Sequence, residues 1–215
     1  MSKTIIKTVT EPSFSENTYL VYSQGSDQCA VIDPGLDPAA ILHALENASL
    51  VPDAILCTHG HLDHIAGITE LKRKFPNCPV YIGEKDADKF ANPRGNLSAD
   101  FGLAITVQNA DKTVKHGDVV SAAGLNFEVR EAPGHSAGHV VYLLNSDDAT
   151  PAALFCGDVL FANSIGRSDF YDGDSARLIE SIQTQILTLP DNTIVYSGHG
   201  PETTVGKERV YNPFF

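Results

Sequence analysis

The six residues from His59 to His64 carry three imidazoles and one carboxylate, which are side chains that bind zinc, iron or manganese. His59 and His61 are two residues apart, so an extended backbone points both side chains to one side, where they can hold one ion. Asp63 and His64 are adjacent and must diverge, which suits the first turn of a helix and a second ion. The alternative is a polar loop whose histidines are only solvated. Four ligand-type residues in six favour a metal site.

Three further residues with ligand chemistry each follow an apolar, strand-like run and each stand beside glycine: His135, Asp158 and His199. Glycine has no Cβ, so it leaves room for an ion and permits unusual loop conformations. One such residue alone would be weak support, because core histidines and Gly-Asp turns are common. Three strand ends of the same kind indicate that these residues join the first cluster.

The elements that must position these residues alternate between strands and helices. A short apolar strand at 29–32 stops at Asp33-Pro34-Gly35, a helix spans 38–48, and a buried strand at 54–57 leads into the histidine cluster. This order is typical of a βαβ unit, whose chemistry lies beyond the carboxyl ends of the strands. Asp33 is either a simple turn residue or a part of the site.

The remaining periodicity predicts more strands and helices around this unit. Apolar residues at 3–4 spacing predict helices at 65–75 and 175–189, and a short helix is expected at 84–90. Segment 91–115 has no clear period, and it is either a lid over the site or a disordered insertion. Strands are predicted at these positions: 4–9, 18–22, 79–82, two within 119–131, 140–144, 152–155 and 193–196.

Composition describes an ordinary soluble protein, which we expect to form one domain over residues 1–215. Hydrophobic residues make up 42% and charged residues 20% of the chain. The formal net charge of −12 argues against a nucleic-acid surface. No secretory signal opens the chain, and no apolar run approaches the roughly 20 residues of a membrane span. The four cysteines show no CxxC spacing, which favours reduced, buried thiols in a cytoplasmic protein.

The whole set of ligand-type residues, in this order, resembles the metallo-β-lactamase superfamily over essentially the full chain. The resemblance implies an α/β fold, namely a four-layer αββα sandwich with two metal ions at one edge of its sheets. It implies a first ion held by His59, His61 and His135, and a second held by Asp63, His64 and His199, with Asp158 bridging both. Asp33 matches a family residue that supports the histidine loop from behind.

Within that superfamily the stretches at 133–139, 164–169 and 208–214 are similar to glyoxalase II, the hydroxyacylglutathione hydrolases, and especially to their short relatives. We expect no C-terminal helical extension of the kind that binds glutathione in full-length members. Antibiotic hydrolysis is not implied, because this chain has Asp at the bridging position, where zinc β-lactamases commonly have another residue. Arg167 and Lys207 are the candidates for binding an anionic substrate, although either is also suited to an ordinary surface or ion-paired role.

The implied activity is hydrolysis of a small-molecule thioester such as lactoylglutathione. Two ions, zinc or alternatively iron or manganese, would share a water and make hydroxide available at neutral pH to attack the carbonyl carbon. Asp63 is the candidate catalytic residue, and His139 is expected either to support the ligands from behind or to have a structural role. The 166–170 stretch also resembles the persulfide dioxygenases, which use one iron, so that activity is an alternative. A metal-binding protein without turnover is a further alternative, disfavoured because structural zinc sites usually carry cysteine.

Overall fold

The computed structural model describes residues 3–145 and 151–215, in which twelve strands form two six-stranded sheets and two more form a small hairpin. The strands of the first sheet lie side by side in chain order: β1 (Thr4–Glu11), β2 (Glu16–Ser23), β3 (Gln28–Ile32), β4 (Val51–Leu56), β5 (Val80–Gly83) and β6 (Lys112–Val114). The later strands are β7 (Val119–Ala122), β8 (Leu125–Glu131), β9 (Val140–Leu144), β10 (Ala153–Gly157), β11 (Leu160–Phe161), β12 (Ser164–Ile165), β13 (Ile194–Ser197) and β14 (Thr203–Thr204). In space, the second sheet has the order β14-β13-β10-β9-β8-β7, and β11 pairs with β12.

The helices are short, and most of them pack on the outer faces of the two sheets. They are α1 (Pro38–Asn47), α2 (Leu62–Ile65), α3 (Ile68–Lys74), α4 (Ser175–Ser181) and α5 (Val205–Tyr211). Two 3₁₀ segments, Glu84–Ala91 and Ser98–Phe101, and a π-helical stretch, Ile182–Ile186, complete the regular structure of the described residues. Helix α1 begins at Asp37, whose carboxylate accepts the backbone N–H of Ala40 at 3.0 Å.

Three apolar clusters separate the layers of the fold. The central cluster lies between the two sheets and contains the inward-facing residues Tyr19, Val21, Ile32, Leu56, Phe127, Tyr142 and Phe155. On the outside of the first sheet, Leu20 and Val31 pack with α1 and α3. On the outside of the second, Val141 and Leu154 pack with α4. Because neighbouring strand residues alternate between these clusters, the fold is the four-layer αββα sandwich that the motif implies.

The βαβ unit is confirmed, because β3 and β4 are paired in parallel and α1 connects them along the chain. Two predicted helices have a different geometry, and an alternative that the sequence left open is decided. The segment predicted as a helix at 84–90 is a 3₁₀ segment. The helix predicted over 175–189 is α-helical only to Ser181 and then continues with π geometry. Segment 91–115 is not a disordered insertion, since it contains strand β6 and the buried Val107.

No helix among the described residues combines the length and apolar character needed to cross a bilayer. All four cysteines are buried and unpaired, as predicted from their spacing.

Candidate metal centre

The ligand-type residues meet at one edge of the sandwich, just beyond the ends of four strands. His59 follows β4, His135 follows β8, Asp158 follows β10 and His199 follows β13. The first of these strands belongs to one sheet and the other three belong to the second. Residues that are 140 positions apart in the chain therefore converge because both sheets end at the same place.

One group consists of three buried histidines whose ring nitrogens point at one another. Nε2 of His135 lies 3.2 Å from Nε2 of His59 and 2.9 Å from Nδ1 of His61. All three side chains are at most 3% exposed. This spacing of imidazole nitrogens around one point suits a metal ion.

The partners of the outer ring nitrogens assign the tautomers of this group. His135 Nδ1 donates to the carbonyl of Arg167 at 2.8 Å, so its Nε2 carries a lone pair. The hydroxyl of Thr58 donates to Asp33, so it accepts from Nδ1 of His59 at 3.1 Å, which leaves a lone pair on His59 Nε2. Two lone pairs that face each other cannot form a hydrogen bond. The two nitrogens therefore fit a shared cation.

The second group contains Asp63, His64 and His199, whose ligand atoms also lie close together. Nε2 of His199 is 3.4 Å from Oδ2 of Asp63, and Nε2 of His64 is 3.8 Å from the same oxygen. The opposite nitrogens are again held by acceptors: His64 Nδ1 by Asp33 at 3.1 Å and His199 Nδ1 by the carbonyl of Phe14 at 2.9 Å. Both Nε2 atoms thus face the site, as metal ligands do.

Asp158 lies between the two groups and contacts both. Its Oδ1 is 3.3 Å from Nε2 of His64, and its Oδ2 is 3.4 Å from Nε2 of His199 and 3.6 Å from Nε2 of His135. Oδ1 is buried and has no hydrogen-bond partner within the described part of the chain. One carboxylate therefore contacts both groups of candidate ligands.

Burial dominates the electrostatics of the three-histidine group. It lowers the pKa of His59 and His61 well below the ordinary value, and the neighbouring imidazoles lower both further. Burial also lowers the pKa of His135, although the carboxylate of Asp158 opposes it. The three rings are therefore neutral at physiological pH, and only the neutral imidazole can bind a metal.

Carboxylates dominate the second group. Burial lowers the pKa of His64, but Asp158 and Asp63 oppose it so strongly that the pKa lies well above the ordinary value. The same competition raises the pKa of His199 to about 10. Burial raises the pKa of Asp158, and His64 and His199 reverse this effect, so it lies well below the usual range. Negative carboxylates thus attract positive charge to this position.

Asp33 and His139 support the ligands from behind. Asp33 accepts hydrogen bonds from the backbone N–H and the hydroxyl of Thr58, each at 2.7 Å, and also contacts His64. His139 stacks on the ring of His59 at 4.6 Å, and its Nε2 accepts the backbone N–H of Asp158 at 3.2 Å. The structure therefore gives Asp33 a place in the site and leaves His139 behind the ligands.

Glycine beside a ligand has a steric reason at two positions. A Cβ on Gly198 would collide with Oδ1 of Asp158 and with the ring of His64. Gly157 has a φ of +48°, and a Cβ there would collide with the hydroxyl of Thr58. Any other residue would displace the candidate ligands Asp158 and His64 at position 198, and Thr58, which contacts His59, at position 157.

A groove of about 280 Å³ opens onto the two groups, and its outer walls are mainly apolar. Phe170 packs edge-on against His61 and His135, at 5.1 and 5.5 Å between ring centroids. The wall also includes Phe14 and Phe101, whose rings pack edge to face at 5.2 Å, together with Leu62 and Leu97. The 91–115 segment thus contributes to the groove, as the lid interpretation expects.

The two residues predicted to bind an anionic substrate are in different places. Arg167 lines the groove, stacks over Phe170 at 4.7 Å and is paired with Asp169 at 2.9 Å. Lys207 is exposed on α5 and is not among the residues that line the groove. Sequence reasoning missed Phe14, Leu97 and Phe101 as wall residues. Phe170 lies in the 166–170 stretch that resembles the persulfide dioxygenases, and this resemblance is the only indication of its role in the sequence.

Comparison with known proteins agrees with this geometry. The family model of the metallo-beta-lactamase superfamily matches residues 13–199. A hydroxyacylglutathione hydrolase, GloC, from Haemophilus influenzae is 34% identical over 212 residues, which is 97% of each chain. The crystal structure of BLEG-1, described as a B3 metallo-beta-lactamase, superposes with a TM-score of 0.91 at 37% identity and covers 98% of this chain and 99% of its own. That of TTHA1623, in a di-iron-bound form, has a TM-score of 0.83 at 35% identity and covers 97% and 100%.

The chain therefore belongs to the metallo-β-lactamase superfamily, whose members are mainly hydrolases. Its His/Asp cluster is a candidate site for divalent metal ions.

Proposed function

We propose that this protein is a dinuclear metal-dependent hydrolase of thioesters, with hydroxyacylglutathione as the substrate class. The observation that carries the proposal is the position of Asp158 between a three-histidine group and an Asp63–His64–His199 group. Seven ligand-type residues are more than one ion needs. Two groups that share one carboxylate provide for two ions, which favours hydrolysis over mononuclear iron chemistry.

The donor set fits divalent ions such as zinc, iron or manganese. Bound ions would lower the pKa of a coordinated water toward about 7 and polarise a substrate carbonyl. His59, His61 and His135 would hold one ion, Asp63, His64 and His199 the other, and Asp158 both. The 34% identity to a hydroxyacylglutathione hydrolase supports the substrate class.

The residues around the groove then position the substrate. Phe170 covers His61 and His135 on the groove side and limits access of bulk water to them. Asp63 lines the groove, and 13% of its side chain is exposed, so its carboxylate is placed to accept a proton during attack. Arg167 is the cationic side chain among the lining residues, and it reaches an anionic part of the substrate.

A thioester suits this arrangement because its leaving group is easy to release. Water adds to the acyl carbon, the carbon–sulfur bond breaks, and the products are a carboxylic acid and a thiol. A free thiol has a pKa near 8.5, so the sulfur leaves as thiolate without a strong acid beside it.

The test combines metal analysis with a substrate panel. Protein with two equivalents of zinc, iron(II) or manganese(II) is assayed on lactoylglutathione, on glutathione persulfide with oxygen uptake, and on a β-lactam. Release of thiol from lactoylglutathione, lost on chelation and restored by metal, is the expected result. Oxygen uptake with one iron per chain, or turnover of the β-lactam alone, would overturn the proposal.

A further inference from the structure

Asp86, a fully buried carboxylate outside the ligand set, connects the two loops that carry the three histidines. Its Oδ2 accepts the backbone N–H of Gly60 at 2.9 Å and the hydroxyl of Ser136 at 2.8 Å. Its Oδ1 accepts the backbone N–H of Gly138 at 2.7 Å. A carboxylate that accepts three hydrogen bonds inside the protein holds all three donors in place.

The donors are neighbours of the ligands. Gly60 lies between His59 and His61, and Ser136 directly follows His135. The first two histidines follow β4 of one sheet, while His135 follows β8 of the other. One side chain therefore fixes the distance between ligands that come from different sheets.

The packing around these contacts leaves little freedom. A Cβ on Gly138 would collide with the backbone of Asp86, and a Cβ on Gly60 would lie 2.8 Å from Cβ of Lys89. Both loops therefore approach Asp86 more closely than any larger residue would permit.

Lys89 supplies the positive charge that a buried carboxylate requires. Its side chain is 2% exposed, and its ammonium lies 3.2 Å from Asp86 and 2.7 Å from Asp172. Asp172 also accepts the backbone N–H of Ala137 at 3.1 Å, so it contacts the same loop as Asp86. This arrangement extends the connection to the segment that carries Phe170.

We propose that Asp86 is a positioning residue for the three-histidine metal site. Asp33 contacts Thr58 and His64, whereas the contacts of Asp86 lie beside His59, His61 and His135. The inference rests on the metal binding proposed above. It predicts that removing Asp86 weakens metal binding at the three-histidine site and leaves binding at the other site unchanged.

The experiment measures zinc affinity of the full chain by competition with a chromophoric chelator. A His199→Ala background leaves the three-histidine site intact, and a His135→Ala background leaves the other. In the first background, Asp86→Ala is expected to weaken zinc binding by about 10- to 100-fold, the range for residues that orient metal ligands. In the second background, a change below about threefold is expected.

Glu208→Gln is the matched control, because Glu208 is also fully buried and accepts hydrogen bonds from Asn163, Thr203 and Asn212, none of which is a candidate ligand. It should leave both affinities unchanged. Ser136→Ala removes only one hydrogen bond of Asp86, and Asp86→Asn keeps one acceptor oxygen. Both should give intermediate losses at the three-histidine site, and they carry the test if Asp86→Ala does not fold.

Equal losses in both backgrounds, or the same loss in Glu208→Gln, would show that Asp86 acts only on general stability and would overturn the inference. Unchanged zinc affinity in Asp86→Ala, or in Asp86→Asn and Ser136→Ala together, would also overturn it. Failure of the wild-type chain to bind zinc at all would instead refute the proposed metal function.

Discussion

Nε2 of His59 and Nε2 of His135 lie 3.2 Å apart, and both present a lone pair to the space between them. Each ring is held in that tautomer from behind, His59 by Thr58 and His135 by the carbonyl of Arg167. Burial lowers the pKa of both rings, so protonation does not relieve the repulsion at neutral pH. A metal ion between them would relieve it, so we expect metal binding to stabilise the fold.

The first prediction is that metal stabilises the protein. At a free metal concentration of 100 times Kd, one site contributes about 2.7 kcal/mol to the free energy of unfolding. For a chain of this size that raises Tm by roughly 5–10 °C. Thermal unfolding of chelator-treated protein, with and without added zinc, iron(II) or manganese(II), measures the effect. Magnesium is the control, because it prefers oxygen ligands and binds imidazole poorly. Equal Tm values with all of these ions would contradict the prediction.

The second prediction concerns Asp158. Because its carboxylate contacts ligands of both groups, Asp158→Ala should bind fewer than two ions under conditions that saturate the wild type, and it should lose hydrolytic activity. Metal content by elemental analysis and thioester turnover provide the two measurements. Asp169→Ala is the control, since Asp169 is an exposed carboxylate paired with Arg167. A variant at position 158 with two tightly bound ions would show that the bridge is assigned wrongly.

The convergence of the candidate ligands could be predicted from sequence because their signal is local. His59, His61, Asp63 and His64 form one short motif, and the other three residues each follow an apolar strand and a glycine. Parallel and antiparallel strands that end at one edge then bring them together, so the motif and the fold support one another.

Other features depend on contacts that no local pattern encodes. Asp86 is 26 residues from Gly60 and 50 from Ser136, and in the sequence it is one acidic residue among several in a charged segment. The rings of Phe14 and Phe101 meet from the turn after β1 and from a 3₁₀ segment, and neither segment shows a periodic pattern in the sequence. The π-helical stretch after α4 follows the same apolar spacing as an α-helix, so the spacing could not reveal it.

The third prediction concerns the aromatic wall. Phe101 is 56% exposed at the groove and packs only lightly on Phe14, so Phe101→Ala should fold normally. Loss of an aromatic contact worth about 1 kcal/mol should lower kcat/KM for a thioester by about 3- to 10-fold, chiefly through KM. Steady-state kinetics measure it, with Phe214→Ala as a control because Phe214 is 51% exposed and lies outside the groove. A matching loss in the control would refute a role for this wall.

The fourth prediction concerns alkaline pH. Burial raises the pKa of Cys29, Cys78 and Cys156 to about 12 each. In the unfolded chain these thiols ionise near pH 8.5. Because the thiol pKa is higher in the folded state than in the unfolded state, the contribution of these thiols to the free energy of unfolding is complete below pH 8.5. It is lost as the pH rises toward 12. Each thiol should lower the free energy of unfolding by about 1.4 kcal/mol per pH unit in that window.

Urea denaturation at pH 8, 9 and 10 measures this slope. Cys78→Ala should reduce the slope by the contribution of one thiol, about 1.4 kcal/mol per pH unit, although the variant is less stable at every pH. The native thiols should also resist alkylation at pH 8. A slope that the cysteine substitution leaves unchanged would assign the alkaline loss to other groups.

The last prediction concerns how much of glutathione the protein recognises. Arg167 is the only arginine or lysine that lines the groove in the described part of the chain, and its guanidinium is already paired with Asp169. Remote parts of a substrate contribute to rate only where the protein contacts them. We therefore expect lactoylglutathione to exceed a small lactoyl thioester in kcat/KM by less than about 100-fold, which is about 2.7 kcal/mol. Steady-state kinetics on the two substrates decide it, with Arg167→Ala and Lys207→Ala compared in parallel. Arg167→Ala should reduce the difference between the two thioesters. A larger preference for glutathione, lost in Lys207→Ala and kept in Arg167→Ala, would place the glutathione contacts on α5 instead of in the groove.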